Sequence, residues 1–374
     1  MTAQHSALDQ PFFAQWTTRG TLARSLEPAR FLLDILSPCL PPSLAVIGSK
    51  GKGSSAAGAT FALCQAGLTV VTITSPALIT NRERIRIRGR AIDANTYAEL
   101  GDILRSLLPR LPQGHYLSPS GAYTVMGLHL ASVIGADVVV VEEGMGGSTD
   151  EISLIDHRAL ALTEVFAEHR GILGNNPVEI AENLLGAGGH SVDLVASAAQ
   201  EGPVAALVAE RIRRWEARTI SHEPLPHRNR LIGAALGLGF YLGAALARDL
   251  GAGEPTPAAL ELPGRSSLHE VAGRRWFVDG AISAAGVREA LAACPFSPET
   301  TLGAWPADKE WRECLKVSRA IPVRAGEHLV YPRPVPPWRE VATVGNVAAI
   351  GTQSFVGEVL DYLGSDTRNM WSIA

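Results

Sequence analysis

The sequence has few cysteines, and none is placed for a disulfide framework or a zinc site. Its 374 residues contain four, Cys39, Cys64, Cys294 and Cys314, scattered without C-x-x-C spacing. Paired spacings of that kind are the usual signature of a structural zinc site or of a disulfide-stapled extracellular domain. The sequence therefore predicts neither.

A strong charge of one sign and long apolar runs are also missing. The formal net charge is −4, which gives no reason to expect a nucleic-acid or membrane-surface partner. No apolar run reaches the roughly 18 residues that a helix needs to span a bilayer. The first residues, MTAQHSALDQPFF, lack the basic-then-apolar order of a signal peptide. We therefore expect a soluble, cytoplasmic protein.

Lysine is scarce as well. Of the 33 basic residues only four are lysines, namely Lys50, Lys52, Lys309 and Lys316. Two of these four fall within one glycine-rich heptad. Lysine is a compact charge on a flexible stem, which arginine does not replace where a phosphate group needs that shape. This placement is the first indication of a functional site.

The hydrophobic pattern predicts strands that alternate with helices. Such alternation is typical of an α/β fold with a mostly parallel sheet covered on both faces. A segment rich in glycine and proline at 251–257 is interpreted as a linker between a larger domain, 1–250, and a smaller α/β domain, 251–374. The predicted strands cover 44–47, 68–73, 138–141, 159–162 and 192–195, then 276–278, 301–304 and 347–350, and helices are predicted at 54–66 and 121–134.

Residues 83–88 alternate charged side chains with isoleucine. This pattern predicts a half-exposed ribbon with a basic face. Its arginines could form a patch for an anionic substrate, or they could be an ordinary solvated strand face. They are Arg82, Arg84, Arg86 and Arg88.

A glycine-rich loop lies between the first predicted strand and the first predicted helix. Its sequence, GSKGKGS at 48–54, lets backbone amides form a concave nest at a helix N-terminus, where phosphates bind. Lys52 can then reach the β- and γ-phosphates, and the Ser54 hydroxyl can hold Mg²⁺. The loop is shorter than GxxxxGK[ST], and the alternative is a glycine-rich turn with incidental lysines. The strand–loop–helix context favours the phosphate site.

Acidic residues follow the most apolar strand of the chain. Glu142 and Glu143 come directly after residues 138–141, at the edge where parallel sheets bind ligands. A carboxylate there would complete the coordination of a nucleotide-bound Mg²⁺. Glu168 and His169 follow the 159–162 strand at the same edge. A single histidine is more often structural than a ligand.

In this order, the motifs resemble those of the folylpolyglutamate synthase/dihydrofolate synthase family, within the Mur ligase superfamily. GSKGKGS at 48–54 is similar to the family's GTNGKGS, and TSPAL at 74–78 with ERIR at 83–86 is similar to TSPHL and NERIR. EEGMGGSTD at 142–150 resembles EVGLGGRLD, and residues 163–174 follow TSIGLDHTEFLG. PGR at 263–265, DGA at 279–281, Asp308 with Lys309, and GTQSFVGEV at 351–359 resemble four further motifs. The resemblance extends over nearly the whole chain.

The resemblance implies a Mur-ligase-like fold and an ATP-dependent amide ligase. In such enzymes a substrate carboxylate attacks the γ-phosphate of ATP, and the amine of an amino acid then displaces phosphate from the acyl phosphate. Carried over by position, the catalytic residues are Lys52, Glu142 and His169, and the Mg²⁺ ligands are Ser54, Ser75, Glu142 and His169. The nucleotide-binding residues are Gly48, Ser49, Lys50, Gly51, Lys52, Gly53 and Ser54, joined from the C-terminal domain by Arg265, Asp279 and Lys309. We expect Lys52 and Glu142 to be partly exposed.

At some positions the sequence differs from the family, and these differences concern a second Mg²⁺ site and the residues that would line the substrate pocket. Leu184 stands where the family has a lysine that becomes carbamylated, so one bound Mg²⁺ is expected rather than two. The His-Asn-Pro of DGAHNP is replaced by Ile282, Ser283 and Ala284. In the family's HQxxN segment, Arg228 stands for the glutamine and Leu231 for the asparagine.

Three interpretations remain open. In the first, the protein is a specialised ligase for small-molecule carboxylate and amino-acid substrates outside folate chemistry. In the second, catalysis is lost and the fold persists as a nucleotide-binding or scaffold protein with a protein partner. In the third, it is a genuine folate glutamate ligase. Retention of the predicted phosphate and metal residues favours the first.

Overall fold

Strands and helices alternate around two main sheets. The computed structural model describes residues 7–167, 169–189, 192–307, 309–325, 335–342, 345–369 and 371. In the described chain the strands are β1 (Ala23–Arg24), β2 (Ser43–Ile47), β3 (Val70–Ile73), β4 (Ile85–Ile87), β5 (Arg90–Ala91), β6 (His115–Tyr116), β7 (Val138–Glu142), β8 (Ala159–Leu162), β9 (Leu194–Ser197), β10 (Arg218–Thr219), β11 (Ser267–Val271), β12 (Arg274–Asp279), β13 (Thr300–Ala304), β14 (Ile321–Pro322) and β15 (Val347–Gly351).

The helices lie between these strands, as a parallel sheet requires for its crossover connections. In the same described chain they are α1 (Gln10–Thr18), α2 (Glu27–Leu36), α3 (Lys52–Gln65), α4 (Ala94–Leu107), α5 (Pro119–Val133), α6 (Pro177–Leu185), α7 (Gly202–Trp215), α8 (Arg230–Asp249), α9 (Ala284–Ala293), α10 (Trp311–Ser318), α11 (Trp338–Val341) and α12 (Gln353–Tyr362).

The larger sheet has eight strands in the order β10-β9-β8-β2-β7-β3-β4-β5. Its pairs are parallel except β3–β4 and β4–β5, which are antiparallel. Strands β2 and β7 are central, and their register pairs Val46 with Glu142. The segment after β2 and the last residue of β7 therefore meet at one edge of the sheet. This is the edge at which α/β sheets bind ligands.

The smaller sheet has the order β11-β12-β15-β13-β14 and is parallel except for the β11–β12 hairpin. A separate parallel pair joins β1 to β6. Both main sheets confirm the predicted α/β class with mostly parallel strands. Helix α8, the last element before the smaller sheet, ends at Asp249, and β11 begins at Ser267. The domain boundary at 250/251 stays a prediction.

Apolar side chains cover both faces of the larger sheet. In β7, Val139 and Val141 belong to the core that contains α5, whereas Val138 and Val140 face the core beneath α3 and α8. Burial on both faces explains why this strand is a continuous valine run without polar alternation.

Helices α3 and α8 approach each other unusually closely because both are rich in glycine and alanine. A Cβ atom added to Gly239 would lie 1.8 Å from the Ser55 carbonyl oxygen, and one on Gly58 would lie 2.1 Å from the Leu236 carbonyl oxygen. No side chain fits in either gap. This contact fixes α3, and with it the loop that opens α3, against the second helix.

Helix α8 contradicts the expectation that no apolar segment of the chain is long enough to span a bilayer. With 20 residues and a mean hydropathy of 1.5 in its most apolar window, it is long and apolar enough to cross a membrane by length and composition. Within the protein, 61% of that window is buried. Since the core helix of a folded domain has the same composition, α8 is weak evidence for a membrane span.

The prediction of a half-exposed ribbon with a basic face at 83–88 is wrong. Arg84 is 8% exposed and Arg86 1% exposed, so neither contributes to a basic surface. Arg86 is buried because its guanidinium donates to the carbonyls of Thr367 and Arg368, at 2.9 Å each. The predicted elements are otherwise present, with ends that move by one or two residues; α3, for example, begins at Lys52 rather than at Ser54.

Candidate nucleotide-binding site

The glycine-rich loop adopts a nest-like conformation between β2 and α3. Gly48 has φ +127° and Gly51 has φ +88°, backbone conformations that side chains disfavour. A Cβ atom at Gly48 would lie 2.1 Å from the Thr163 hydroxyl oxygen. Gly51 is the N-terminal cap of α3, and Lys52 is its first residue. The free amides of the first helical turn therefore face the region that the loop encloses.

Lys52 is held over its own loop. Its ammonium donates to the Gly48 carbonyl oxygen at 2.7 Å and lies 3.9 Å from Glu143 Oε1. The Lys52 side chain is 15% exposed, which agrees with the prediction that it is partly exposed. A compact cation thus lies beside the helix N-terminus.

The two carboxylates after β7 have different surroundings. Glu143 accepts hydrogen bonds from the Gly48 and Gly146 amides, at 2.9 and 3.0 Å, and so anchors the loop. The sequence placed Glu143 beside Glu142 at this edge, but sequence reasoning gave it no role in the site. Glu142 Oε2 accepts a hydrogen bond from the Ser75 amide at 3.3 Å.

Glu142 is buried rather than partly exposed. Removal from water raises the pKa of its carboxyl to about 7, although Lys52, the Ser75 amide and Arg265 favour the charged form. Burial also raises the pKa of Glu143. Two largely desolvated carboxylates beside a cation and a helix N-terminus form a site that a ligand with compensating charge would stabilise.

Ser75 is fixed by a buried arginine. Arg84 donates to the Ser75 hydroxyl oxygen and to Asn81 Oδ1, at 3.1 Å each, and its guanidinium lies 4.8 Å from the centre of the Tyr123 ring. This arginine belongs to the segment predicted to be a solvated ribbon. It orients a hydroxyl that lines the site.

Three predicted residues come from the smaller sheet and its connections. The virtual Cβ of Gly53 lies 3.9 Å from the Arg265 guanidinium, so this arginine reaches the phosphate loop. Asp279 is buried, and its carboxylate accepts from the Ser266 amide and hydroxyl, at 2.7 Å each, and from the Ala281 amide at 2.8 Å. It therefore shapes the turn that carries Arg265. Lys309 lines the same cavity as Arg265 and Asp279.

A cavity of about 740 Å³ brings these parts together. All the predicted site residues line it except Gly48, the first residue of the loop. Ligand pockets for small molecules have volumes of roughly 300–1,000 Å³, and this cavity lies within that range. The lining members of the predicted set are Ser49, Lys50, Gly51, Lys52, Gly53, Ser54, Ser75, Glu142, His169, Arg265, Asp279 and Lys309.

The predicted metal ligands line the same cavity. Within the described part of the chain, no group of three or more histidine, cysteine, aspartate or glutamate side chains is placed to hold a metal ion. The predicted set contains two such residues, Glu142 and His169, together with the hydroxyls of Ser54 and Ser75. Glu168, which precedes His169, and Asp308, which precedes Lys309, lie outside the described residues.

The structure shows where the residues that differ from the family motifs lie. Leu184 is 1% exposed and packs in the core of the larger sheet rather than in the cavity. Ile282 lines the cavity. Ser283 lines it too and caps α9 by accepting from the Gly286 amide at 3.2 Å, and Ala284 begins that helix.

The described chain is thus an α/β protein with two main sheets, and residues next to the smaller sheet help to line the cavity at its glycine-rich loop. No family model matches the chain. It is 37% identical over 138 residues to a probable bifunctional folylpolyglutamate synthase/dihydropteroate synthase of Haloferax volcanii, an alignment of 37% of this chain and 16% of that protein. It is 31% identical over 159 residues to a dihydrofolate synthase/folylpolyglutamate synthase of Bacillus subtilis, which covers 41% of this chain and 37% of that one. The alignments thus span less than half the length of these relatives.

Solved structures match over most of the chain. The apo form of L. casei FPGS has a TM-score of 0.79 at 20% identity and covers 94% of this chain and 99% of its own. Mycobacterium tuberculosis folylpolyglutamate synthase, complexed with ADP and AMPPCP, has a TM-score of 0.78 at 19% identity over 95% of this chain and 99% of its own. At this identity the structures show the fold. Together with the sequence relatives, they confirm the resemblance of the chain to the folylpolyglutamate synthase/dihydrofolate synthase family.

Proposed function

We propose that this protein is an ATP-dependent ligase that joins an amino acid to a substrate carboxylate through an acyl phosphate. The observation that carries this proposal is the convergence of Lys52, the N-terminus of α3, Glu142 and Arg265 on one cavity. The names of the sequence relatives support the same class of reaction.

The chain's own residues would act by positioning and by neutralising charge. An oxygen of the substrate carboxylate attacks the γ-phosphorus, the bond from that phosphorus to the bridging oxygen breaks, and ADP leaves. The amine nitrogen then attacks the acyl carbon, and phosphate leaves as the amide forms and the nitrogen loses a proton. Lys52 and the amides of the loop would hold the phosphates from one side, and Arg265 would hold them from the other.

A magnesium ion fits the donor set. Mg²⁺ prefers oxygen ligands, which the Glu142 carboxylate and the hydroxyls of Ser54 and Ser75 supply; the His169 imidazole is a poorer donor for this ion. The desolvated Glu142 carboxylate is also a group whose burial a cation would offset. When bound, Mg²⁺ would neutralise the charge of the nucleotide phosphates. Because Leu184 lies in the core, a single bound Mg²⁺ stays our prediction.

For the acceptor we propose a small-molecule carboxylate outside folate chemistry. The apolar Ile282 on the cavity wall, in place of a polar family residue, supports a changed substrate. The names of the relatives favour a genuine folate glutamate ligase as the second candidate. We further propose two domains, 1–250 and 251–374, and action in the cytoplasm on small molecules, without a nucleic-acid or membrane partner.

The test is calorimetric binding of the non-hydrolysable analogue AMPPCP, with and without Mg²⁺. We expect magnesium-dependent binding that weakens at least about tenfold in Lys52→Ala, since a charge-assisted phosphate contact is lost. Lys316→Ala is the matched control, because that lysine is 79% exposed on α10, and it should bind like the wild type. Equal binding by Lys52→Ala would overturn the site assignment.

A second step tests the reaction itself. Acids and amino acids, with folates included, are screened for ADP release that requires both substrates. Release with a folate and glutamate would favour the folate ligase, and release with another acid would favour the specialised enzyme. Nucleotide binding without release under any pair would favour the catalytically impaired homologue and direct the search to protein partners.

A further inference from the structure

A second buried carboxylate, that of Glu143, adjoins the glycine-rich loop. Glu143 is 2% exposed, and its backbone amide donates to the Val46 carbonyl oxygen of β2 at 2.9 Å. The motif EVGLGGRLD, which residues 142–150 resemble, has valine at this place. The carboxylate therefore distinguishes this chain from the motif.

Backbone amides of the site hold this carboxylate. Its Oε2 accepts a hydrogen bond from the Gly48 amide and its Oε1 accepts one from the Gly146 amide, which suits an ionised carboxylate because that group is an acceptor on both oxygens. In the described chain, Lys52 is the one cation that pairs with it, at 3.9 Å from Oε1. The Gly48 amide thus binds an anion of the protein itself and is not available to a phosphate.

Lys52 is shared between this internal anion and the cavity. Its ammonium donates to the Gly48 carbonyl oxygen at 2.7 Å, and its side chain lines the cavity, which that of Glu143 does not. A phosphate bound to the ammonium would be separated from the Glu143 carboxylate by little more than that one group. Since the carboxylate is shielded from water, its repulsion of the phosphate is screened only weakly.

The formal charges that line the cavity give no excess of positive charge to offset this repulsion. Among the described lining residues, four are cationic and four are anionic. The cations are Lys50, Lys52, Arg265 and Lys309, and the anions are Glu142, Glu164, Asp279 and Glu310. Glu143, which lies behind Lys52, adds one more negative charge to this balanced set.

We propose that Glu143 determines which form of the nucleotide the site accepts, so that the Mg²⁺ complex binds and the free triphosphate is rejected. A triphosphate loses two of its negative charges to a bound divalent cation, and the repulsion by Glu143 falls accordingly. Glu143 is then a specificity-determining residue that acts through Lys52 and the loop. This inference rests on the proposed function, because it concerns the same nucleotide site.

The experiment measures the dissociation constant of AMPPCP by calorimetry at about pH 8, once with excess Mg²⁺ and once with EDTA. The quantity compared is the ratio of the constant without Mg²⁺ to the constant with it. Glu143→Gln keeps the size of the side chain and removes its charge. We expect its ratio to be at least about tenfold lower than that of the wild type, because Lys52 then attracts the free nucleotide without opposition.

Two further variants separate the charge of Glu143 from its contacts with the loop. Glu143→Val introduces the residue of the related motif, and its ratio should fall as in Glu143→Gln although both hydrogen bonds are lost. Glu182→Gln removes an exposed carboxylate of α6 and should keep the wild-type ratio. If Glu143 only anchors the loop, both dissociation constants rise together in its variants. An unchanged ratio would therefore overturn the inference.

The wild type provides a test that needs no variant. Without Mg²⁺, AMPPCP should bind no more tightly than AMP, because each added phosphate brings further repulsion. Binding of free AMPPCP more than about tenfold tighter than that of AMP would overturn the inference and leave the proposed function standing. Absence of AMPPCP binding even with Mg²⁺ would overturn the proposed function itself.

Discussion

Glu142 shows how one side chain can be unfavourable for the fold and useful to the site. Its carboxylate lies at the end of a strand buried on both faces, where water does not solvate it. Burial raises its pKa to about 7, against an ordinary value of about 4.3 for glutamate. The ionised form that a cation would need is therefore the form that destabilises the empty protein.

This leads to a prediction about pH. Between about pH 4.5 and 7 the folded protein holds a proton that the unfolded chain has lost, so this group's contribution to stability falls as pH rises through that window. Glu142→Gln cannot ionise. Relative to the wild type, its free energy of unfolding should increase by roughly 3 kcal/mol between pH 4.5 and 8, at about 1.4 kcal/mol per pKa unit.

Urea unfolding at the two pH values measures this difference. Glu99→Gln, on the exposed side of α4, is the control, and its difference from the wild type should be the same at both. If Glu142→Gln behaves like the control, the carboxylate is not destabilised by burial.

Single residues were also where sequence reasoning failed most clearly. The alternation at 83–88 predicted exposed arginines because no pattern in one sequence shows what covers a strand. Arg86 is covered by Thr367, Arg368 and Trp371, nearly 300 positions later. The residues of the phosphate loop were recognisable because glycine and lysine have few substitutes there. Glu143 was visible in the sequence, but its bond to the Gly48 amide depends on the register of β2 and β7.

At the level of elements, the helix pair α3–α8 fixes the phosphate loop. Its glycines are required by close approach, since a Cβ at Gly239 would overlap the Ser55 carbonyl oxygen. The sequence showed small residues in α3, but it could not show that α8 was their partner. Strands were predicted well because buried valine runs are local signals, whereas the pairing of helices depends on the whole fold.

The second prediction concerns this helix pair. Gly239→Ala should lower the free energy of unfolding by about 3 kcal/mol or more, because the backbones must separate to admit the methyl group. Gly101→Ala is the matched control on α4, where a Cβ would meet Pro11 at an ordinary 3.5 Å. That change should leave stability unchanged or raise it by up to about 1 kcal/mol, the helix propensity difference. Chemical denaturation measures the free energy of unfolding of both variants. Equal changes in the two variants would refute the close contact between α3 and α8.

At the scale of the molecule, the segment that follows the smaller sheet returns to the edge of the larger one. Arg86 binds the carbonyls of Thr367 and Arg368, the Arg368 carbonyl also accepts from the Ala91 amide at 2.8 Å, and the Thr367 hydroxyl donates to Glu83 at 2.7 Å. Glu83 in turn accepts from the amides of residues 78–80, next to the cavity. The two sheets are thus tied together beside the site.

The third prediction tests this tie. Arg86→Ala should remove three charge-assisted hydrogen bonds, to the carbonyls of Gly89, Thr367 and Arg368, and lower the free energy of unfolding by about 3 kcal/mol. Hydrogen exchange should also become faster at the Ala91 amide, whose acceptor belongs to the returning segment. Arg88→Ala is the control, because Arg88 is exposed and lies two residues along the chain. It should change the free energy of unfolding by no more than about 0.5 kcal/mol, and the exchange rate at the Ala91 amide by no more than the corresponding factor. Unchanged exchange at Ala91 in Arg86→Ala would mean that the segment is held by other contacts.

The cavity has a consequence for the newly made chain. Its walls come from positions as far apart as Ser49 and Ser354, so no shorter stretch of the polypeptide contains them all. During synthesis the phosphate loop leaves the ribosome early, but its opposite wall is translated some 300 residues later. Nucleotide capture would therefore be one of the last properties the growing chain acquires, and a retained nucleotide would report that both halves have been completed and joined.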